Sequence, residues 1–568
     1  MHCMMRRKTG DVDWHFQRHC PESWFSPRGI LVPSRLASGQ AQIVKDGSHR
    51  TVYRIDLPER ALFVKHYRCT NTLAALRHWW RPCAAQREWR AAVQIARRGV
   101  STIDVIGYGR RERFGLVRDN YLVTRAIEPS CSLDEYVLRV LPRLDPRTAA
   151  DARRRLIEEL ARLCATMHSR GILHRDLHTG NILVQLDEGA ELAGATRAPR
   201  LYLIDLASAR FTGALGWRRS RKNLAMLCTG WLGRLSPAEL WRFWQVYLAA
   251  RPEWRRVDAR RRGREIVERA AQRAQRVARA RDKRSLGDNR DFFRLRTGHA
   301  RGHAIRAMAA DQLATWLADP EQPLRDYWHR PLKLSHGSVV VEGEWRLGRA
   351  ATRVSLKRYR EKHWWKLVLG LFRRGRAVRG WYVGHALLAR GIATARPIAA
   401  CIAGPWYKGA GYLVTARIDG ARDLHSYGWD LAERPVHERR RRVNQLARSL
   451  GRLVGRLHRW RIAHRDLKGC NFMVVETERD VEVFLVDLDG IRIRPRLGQT
   501  VRAANLARLA TSLCIHRWVP RTAVARFFEA YRREDVLASG DHKRLWRRVA
   551  SQSARIKARR RRFGHVLA

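Results

Sequence analysis

Apolar and polar residues alternate around Gly47 and Lys65, as in Leu62-Phe-Val-Lys-His-Tyr67, and the alternation returns over Leu332–Tyr359. A period of two predicts strands with one buried face. In the later set, turns are expected at His336-Gly337 and Glu342-Gly343. After the first set the period lengthens. Ala92, Ile95 and Ala96 share one helical face, and a second strand pair ends at Tyr121–Thr124. Leu156, Leu160, Leu163, Cys164 and Met167 then make a helical stripe over Leu156–His168, and Val443–Leu457 carries a matching one. Asn289–Leu317 is expected to be a helical lead-in. In Arg255–Arg284 the apolar Val257, Ile266, Val267 and Val277 are sparse among arginines, which predicts a solvated basic helix, and the chain ends in a second basic helix rich in arginine at Arg559–Arg562.

The pattern repeats because the chain repeats. Val64-Lys65 returns as Leu356-Lys357, Trp89 through Gly99-Val100 as Trp381 through Gly391-Ile392, and Tyr121-Leu-Val-Thr124 as Tyr412-Leu-Val-Thr415. His-Arg-Asp-Leu stands at His174–Leu177 and at His464–Leu467. Ile204-Asp205-Leu206 matches Val486-Asp487-Leu488, and Asn223-Leu-Ala225 matches Asn505-Leu-Ala507. The offset is nearly constant until the longer segment Gln185–Arg200 shortens it, so a whole domain is duplicated.

The repeated strings carry phosphoryl-transfer chemistry. That reaction needs a carboxylate to orient the acceptor hydroxyl, oxygen ligands for magnesium, and fixed positive charge on the nucleotide phosphates. In the first half Asp176 would accept the proton, Asn181 and Asp205 would hold Mg2+, and Lys65 would reach the phosphates, with Glu88 on the next helix as its partner. In the second half Asp466, Asn471, Asp487 and Lys357 follow in the same order. Gly380 stands where Glu88 would be, so Lys357 lacks its usual partner unless Glu361 or another acid substitutes. Neither half has a Gly-x-Gly-x-x-Gly string. Gly47 and Gly337 are the nearest equivalents, where hairpin amides would meet phosphate. His174 and His464 are expected to pack structurally.

These elements give an α+β architecture of two tandem protein-kinase-like domains, each a small β-rich N-lobe and a helical C-lobe. The expected boundaries are an N-terminal extension over residues 1–32, a first domain over 33–251, a basic helical linker over 252–288, and a second domain over 289–568. The stretch between Asp205 and the linker is short and has no Ala-Pro-Glu string. That disfavours a serine/threonine protein kinase and favours a compact kinase of small or lipid-linked acceptors. Gly380 keeps open an arrangement of one active half and one pseudokinase regulatory half.

Composition adds a partner class. The 568 residues include 45% apolar positions and 21 Trp, ample for two cores, while the ten Cys are scattered singly and suit reduced thiols. Met1–Gln40 has no apolar run of the secretory kind, and the best apolar run, Trp364–Phe372, is broken by Lys366, so a cytoplasmic protein is expected. A formal charge of +60 invites an anionic partner. Charge alone argues for nucleic acid, and the motifs argue against it. Leu73–Arg81, with Trp79-Trp80, and Lys362–Arg374, with Trp364-Trp365, combine paired Trp with basic residues and suit a membrane-interface helix or packing on the small lobe.

Gly171-Ile-Leu-His-Arg-Asp-Leu-His-Thr-Gly-Asn-Ile-Leu183 and His464-Arg-Asp-Leu-Lys-Gly-Cys-Asn471 resemble the lipopolysaccharide kinase family, the heptose and Kdo kinases. So do Arg98-Gly-Val100, Arg390-Gly-Ile392, Leu332-Lys-Leu-Ser335, and Ile204-Asp-Leu206 without an activation loop. The resemblance spans most of residues 40–250 and 290–540. It implies a protein-kinase-like fold and transfer of phosphate from ATP with Mg2+ to sugar hydroxyls of the lipopolysaccharide inner core. It also implies a cytoplasmic protein working peripherally at the anionic inner-membrane face, with lipopolysaccharide core or another anionic glycolipid as partner. The roles of Lys65, Glu88, Asp176, Asn181 and Asp205, and of Lys357, Asp466, Asn471 and Asp487, carry over with it. The tandem arrangement and Gly380 depart from the family's usual pattern.

Overall fold

The computed structural model describes the chain except residues 1–4, 10, 17–20, 22–23, 25–40, 48, 59–60, 70–81, 114–115, 187–198, 233, 255–257, 330, 336–337, 349, 360–374, 405–409, 535–541 and 563–568. Its contacts divide it into two compact units, Met1–Arg273 and Ala274–Ala568. Among the described residues each unit holds a seven-stranded antiparallel sheet followed by a mainly helical lobe.

In the first unit the sheet order is Met5–Thr9, Val12–Phe16, Val105–Arg113, Leu116–Arg125, Ala61–Arg68, Arg50–Asp56 and Gln42–Lys45. The second unit repeats it with Phe292–Arg296, Ala300–Ile305, Pro397–Ala403, Ala410–Ala416, Ala350–Tyr359, Ser338–Leu347 and Pro331–Ser335. Register repeats as well. Lys65 lies between Val52 and Leu122, and Lys357 between Val340 and Leu413. Behind each sheet packs one helix, Ala84–Arg97 or Arg376–Leu388, whose alternate turns bury Ala92 and Ile95, or Trp381 and Leu387. Gly99 and Gly391 end these helices at φ +67° and +66°, a left-handed conformation that suits glycine.

The helical lobes are built around Pro146–Ser169 and Val436–Arg459. The first begins with Asp145 capping the amides of Arg147 and Thr148, and Pro146 at a position where no amide is needed. Its expected stripe is buried at Leu156, Leu160, Cys164 and Met167, with Leu163 packed beside it. Near the end of each helix stands a fully buried histidine. His168 joins Tyr247 Oη at 2.9 Å and Asn223 Oδ1 at 3.0 Å, and His458 joins Tyr531 Oη at 2.8 Å and Asn505 Oδ1 at 3.3 Å.

Three expectations are corrected. Asn289–Leu317 is a hairpin, Phe292–Arg296 with Ala300–Ile305, before the helix Ala310–Ala318, because Ala300, Gly302 and Ala304 bury every second position. Glu342-Gly343 is no turn. Ser338–Leu347 runs straight through it, and Gly343 leaves room for the Tyr327 ring, which a Cβ would meet at 2.7 Å. Arg255–Arg284 is helical over Ala259–Asp282 but not free in solvent. Ile266 and Ala270 join the first unit's core, and Arg221 pairs with Glu265 at 2.6 Å. Its last residue, Asp282, is buried in the second unit, where Arg390 grips both carboxylate oxygens at 2.7 and 2.8 Å.

The hairpin Met5–Phe16 lies inside the stretch expected as an extension, and Trp14, at the centre of its second strand Val12–Phe16, is fully buried in the sheet core. Glu361, Gly337 and the two aromatic-basic inserts, Leu73–Arg81 and Lys362–Arg374, lie outside the described residues.

Candidate active sites

In the first unit the strand Ala61–Arg68 carries Lys65 to the inner edge of the sheet, and the helix behind it brings Glu88 under that side chain. Lys65 Nζ lies 2.6 Å from Glu88 Oε1, with Glu88 wholly buried. Two further donors hold the carboxylate: Tyr67 Oη at 2.5 Å and the Leu206 amide at 3.3 Å. Glu88 therefore ties strand, helix and the turn after Asp205 to one point. A carboxylate so surrounded is fixed in place, and it holds the Lys65 ammonium in the cleft.

The loop that carries His174-Arg-Asp176 is shaped by backbone bonds. His174 is buried, meets the Ile204 carbonyl at 3.1 Å through Nε2, and accepts the Asp176 amide through Nδ1 at 3.3 Å. Asn223 donates to the His174 carbonyl at 2.7 Å. Asn181 donates from Nδ2 to the Asp176 carbonyl at 2.9 Å, which leaves its amide oxygen for another partner. The Asp176 carboxylate is 60% exposed, with His178 at 3.7 Å, and is open to solvent. Asp205 sits at φ 60°, ψ 55°, a left-handed conformation seldom taken by a residue with a side chain. Arg50 reaches across to both of its oxygens, at 3.0 and 3.1 Å. Burial works to raise the Asp205 pKa, but Lys65 and Arg50 outweigh it and hold the carboxyl below its ordinary range.

The second unit repeats the loop closely. His464 meets the Asp487 carbonyl at 2.7 Å and accepts the Asp466 amide at 3.2 Å, while Asn471 donates to the Asp466 carbonyl at 2.7 Å. Lys468, where the first unit has His178, lies 2.9 Å from Asp466. Lys357, Asn471 and Asp487 line one cleft of about 610 Å³. Gly380 faces Leu413 and the Tyr359 hydroxyl, which a Cβ would meet at 2.8 and 3.4 Å. Lys357 lies instead 3.5 Å from Asp487 and 3.6 Å from Asp489.

The structure thus gathers Lys65 and Glu88 in one cleft with Asp205, and Lys357 with Asn471 and Asp487 in the other. Gly47 lies in the exposed turn ahead of Arg50, its carbonyl accepting from Arg68 at 3.2 Å. A carboxylate and an amide oxygen in each unit, Asp205 with Asn181 and Asp487 with Asn471, are hard donors of the kind magnesium takes. The sequence reading missed Arg50, Asp489, Arg376 and the tyrosine two places after each lysine. Lys65-His-Tyr67 and Lys357-Arg-Tyr359 were a visible repeat, and Asp487-Leu-Asp489 a visible pair of acids. Arg50 and Arg376 left no string to find.

The same two segments are matched in comparison with known proteins. The family described as Lipopolysaccharide kinase (Kdo/WaaP) family matches residues 35–247 and again 336–531, more than half of the chain. The chain belongs to that family. It is a kinase, with the family's domain present twice. The lipopolysaccharide core heptose(I) kinase WaaP of Escherichia coli is 25% identical over 216 residues, 37% of this chain and 79% of that protein. The protein of the same description from Pseudomonas aeruginosa (strain PAO1) is 27% identical over 195 residues, 33% of this chain and 69% of its own length. A solved structure, WaaP in complex with acyl carrier protein, matches at 23% identity and a TM-score of 0.31, covering 41% of this chain and 92% of that one.

Proposed function

We propose that the chain transfers the γ-phosphate of ATP, with Mg2+, to a sugar hydroxyl of the lipopolysaccharide inner core, on heptose or Kdo. The observation that carries this is the constellation of Lys65, Glu88, Asp176, Asn181 and Asp205 in a member of this kinase family, each residue held by bonds that fix it before a substrate arrives. Asn181 and Asp205 would hold magnesium, which would supply positive charge to the phosphate oxygens. Lys65, held by Glu88, neutralises the phosphates of the nucleotide. Asp176 accepts the proton of the attacking hydroxyl, its backbone fixed by His174 and Asn181. Positioning and charge supply most of the rate in this chemistry, which is why buried bonds behind the cleft matter as much as the groups in it.

The acceptor side supports a non-protein substrate. After Asp205 the chain enters the short strand Ala209–Phe211 and then the helix Trp217–Trp231, with no long segment between Asp205 and that helix. Among the described residues no helix is long and apolar enough to cross a membrane. The basic face of the helix His542–Arg562, with Trp546 46% exposed, suits peripheral contact with an anionic lipid surface.

The test is transfer of labelled γ-phosphate from ATP-Mg to rough-type lipopolysaccharide carrying heptose, to the same glycolipid truncated to Kdo, and to a protein acceptor. Label confined to a glycolipid supports the proposal and names the sugar. Label confined to protein would overturn it.

A further inference from the structure

Tyr67 and Tyr359 occupy the same place in the two units, two residues after the strand lysine, and both hydroxyls meet a carboxylate that also faces that lysine. The carboxylates come from different elements. In the first unit it is Glu88, on the helix. In the second the helix has Gly380 there, and the acid is Asp489, on the turn after Asp487, where the first unit has Ala207. Two acids have thus changed places with two small residues.

The tether between helix and turn has been rebuilt with opposite polarity. Glu88 on the helix accepts the amide of Leu206 on the turn at 3.3 Å. In the second unit Arg376, in the first turn of the helix, donates to Asp489 on the turn at 2.7 Å, and its guanidinium lies 4.8 Å from the centre of the Tyr359 ring. Ala84 opens the first unit's helix where Arg376 opens the second's. Asp489 is only 21% exposed, and Lys357, Arg376 and Tyr359 crowd one side chain. The Tyr359 phenol is pushed far up by burial and by Asp489, and stays a neutral donor.

We propose that Asp489 is the positioning carboxylate of the second unit, holding Lys357 toward a nucleotide's phosphates in place of the acid missing at Gly380. Arg376 completes the arrangement by tying the helix to that turn. The second half is then a nucleotide site organised by a different residue, not a half that has lost its organisation. This rests on the proposal that the lysine clefts bind ATP.

The experiment uses the full chain carrying Lys65→Ala, which disables the first cleft, and titrates it with trinitrophenyl-ATP and magnesium. Asp489→Asn keeps the side chain's shape and removes its charge. It is expected to weaken nucleotide binding by about tenfold, the scale of losing one charge-assisted contact. Asp489→Glu is expected to restore most of the affinity, and Asp489→Ala with Gly380→Glu part of it, since the Leu413 methyl that a Cβ there would meet at 2.8 Å is the far end of a flexible side chain. A melting temperature close to the parent's in Asp489→Asn separates positioning from folding. Affinity within twofold of the parent in Asp489→Asn would overturn the proposal, and so would absence of nucleotide binding in the Lys65→Ala parent. Binding that depends on Asp489, in a protein that labels no glycolipid, would sustain it while removing the lipopolysaccharide assignment.

Discussion

Arg50 holds both carboxylate oxygens of Asp205, at 3.0 and 3.1 Å, so a guanidinium covers the acid assigned to magnesium. Arg50 pairs across the sheet with Tyr67 as Ser338 pairs with Tyr359, and the second unit therefore has serine at that place. Cation and guanidinium compete for one carboxylate. Arg50→Ser, in a chain also carrying Asp466→Ala, is expected to lower the magnesium concentration for half-maximal activity by about threefold to tenfold, the range of one charge-assisted bond. A magnesium titration at saturating ATP checks it. A rise in the magnesium requirement would instead mean that Arg50 helps to hold the nucleotide.

Glu88 is wholly buried, and its lysine partner is largely so. Glu88→Gln keeps the shape but removes the charge that fixes Lys65. In the Asp466→Ala background it is expected to lower kcat/KM for ATP on the order of 100-fold, the scale of losing one preorganised charged contact at a reacting centre. Initial rates over an ATP series measure it.

His168 and His458 are buried as neutral rings. Burial, aided by a nearby arginine, lowers their pKa to about 4 and about 3. An unfolded histidine titrates near pH 6.5, so the unfolded chain takes up protons first as pH falls. The stability tied to the neutral rings is complete above about pH 6.5 and declines toward pH 4 for His168 and pH 3 for His458. Urea midpoints should therefore fall between pH 7.5 and pH 5. The variant with His168→Gln and His458→Gln is expected to be less stable at pH 7.5 but to show a shallower fall.

Asp282 and Arg390 form a two-bond ion pair with almost no exposure, and the Arg390 guanidinium lies 5.4 Å from the centre of the Trp460 ring. Breaking one side leaves a buried charge unpaired. Arg390→Met is expected to destabilise the second unit by about 3–5 kcal/mol, and adding Asp282→Asn to recover a substantial part. Denaturant unfolding followed by tryptophan fluorescence reads both.

The duplicated strings placed the two His-Arg-Asp loops because such loops are set by neighbours in sequence: His174 holds Asp176, and Asn181 bonds back to it. Lys65 and Glu88 were legible from strand alternation and helix spacing. Residues that act across elements were not. Asp489 stood in the sequence as an acid beside a displaced glycine, and only the fold brings it to Lys357. Arg50 lies far along the chain from Asp205, with no pattern to join them. The hairpin Phe292–Ile305 escaped because it buries alanine and glycine among charged residues, and Met5–Phe16 because its first strand, Met5–Thr9, is polar and largely exposed while only Val12, Trp14 and Phe16 of the second are buried. Such strands are fixed by their partners in the sheet, Val105–Arg113 and Pro397–Ala403, rather than by their own composition.

The most direct test is labelled γ-phosphate transfer from ATP-Mg into purified rough-type lipopolysaccharide by the intact chain, Asp176→Ala, Asp466→Ala and the double variant. The account predicts label in the glycolipid, reduced by at least one single substitution and abolished by the double. Undiminished labelling in the double variant, or no label in any glycolipid from a chain that binds ATP, would contradict it.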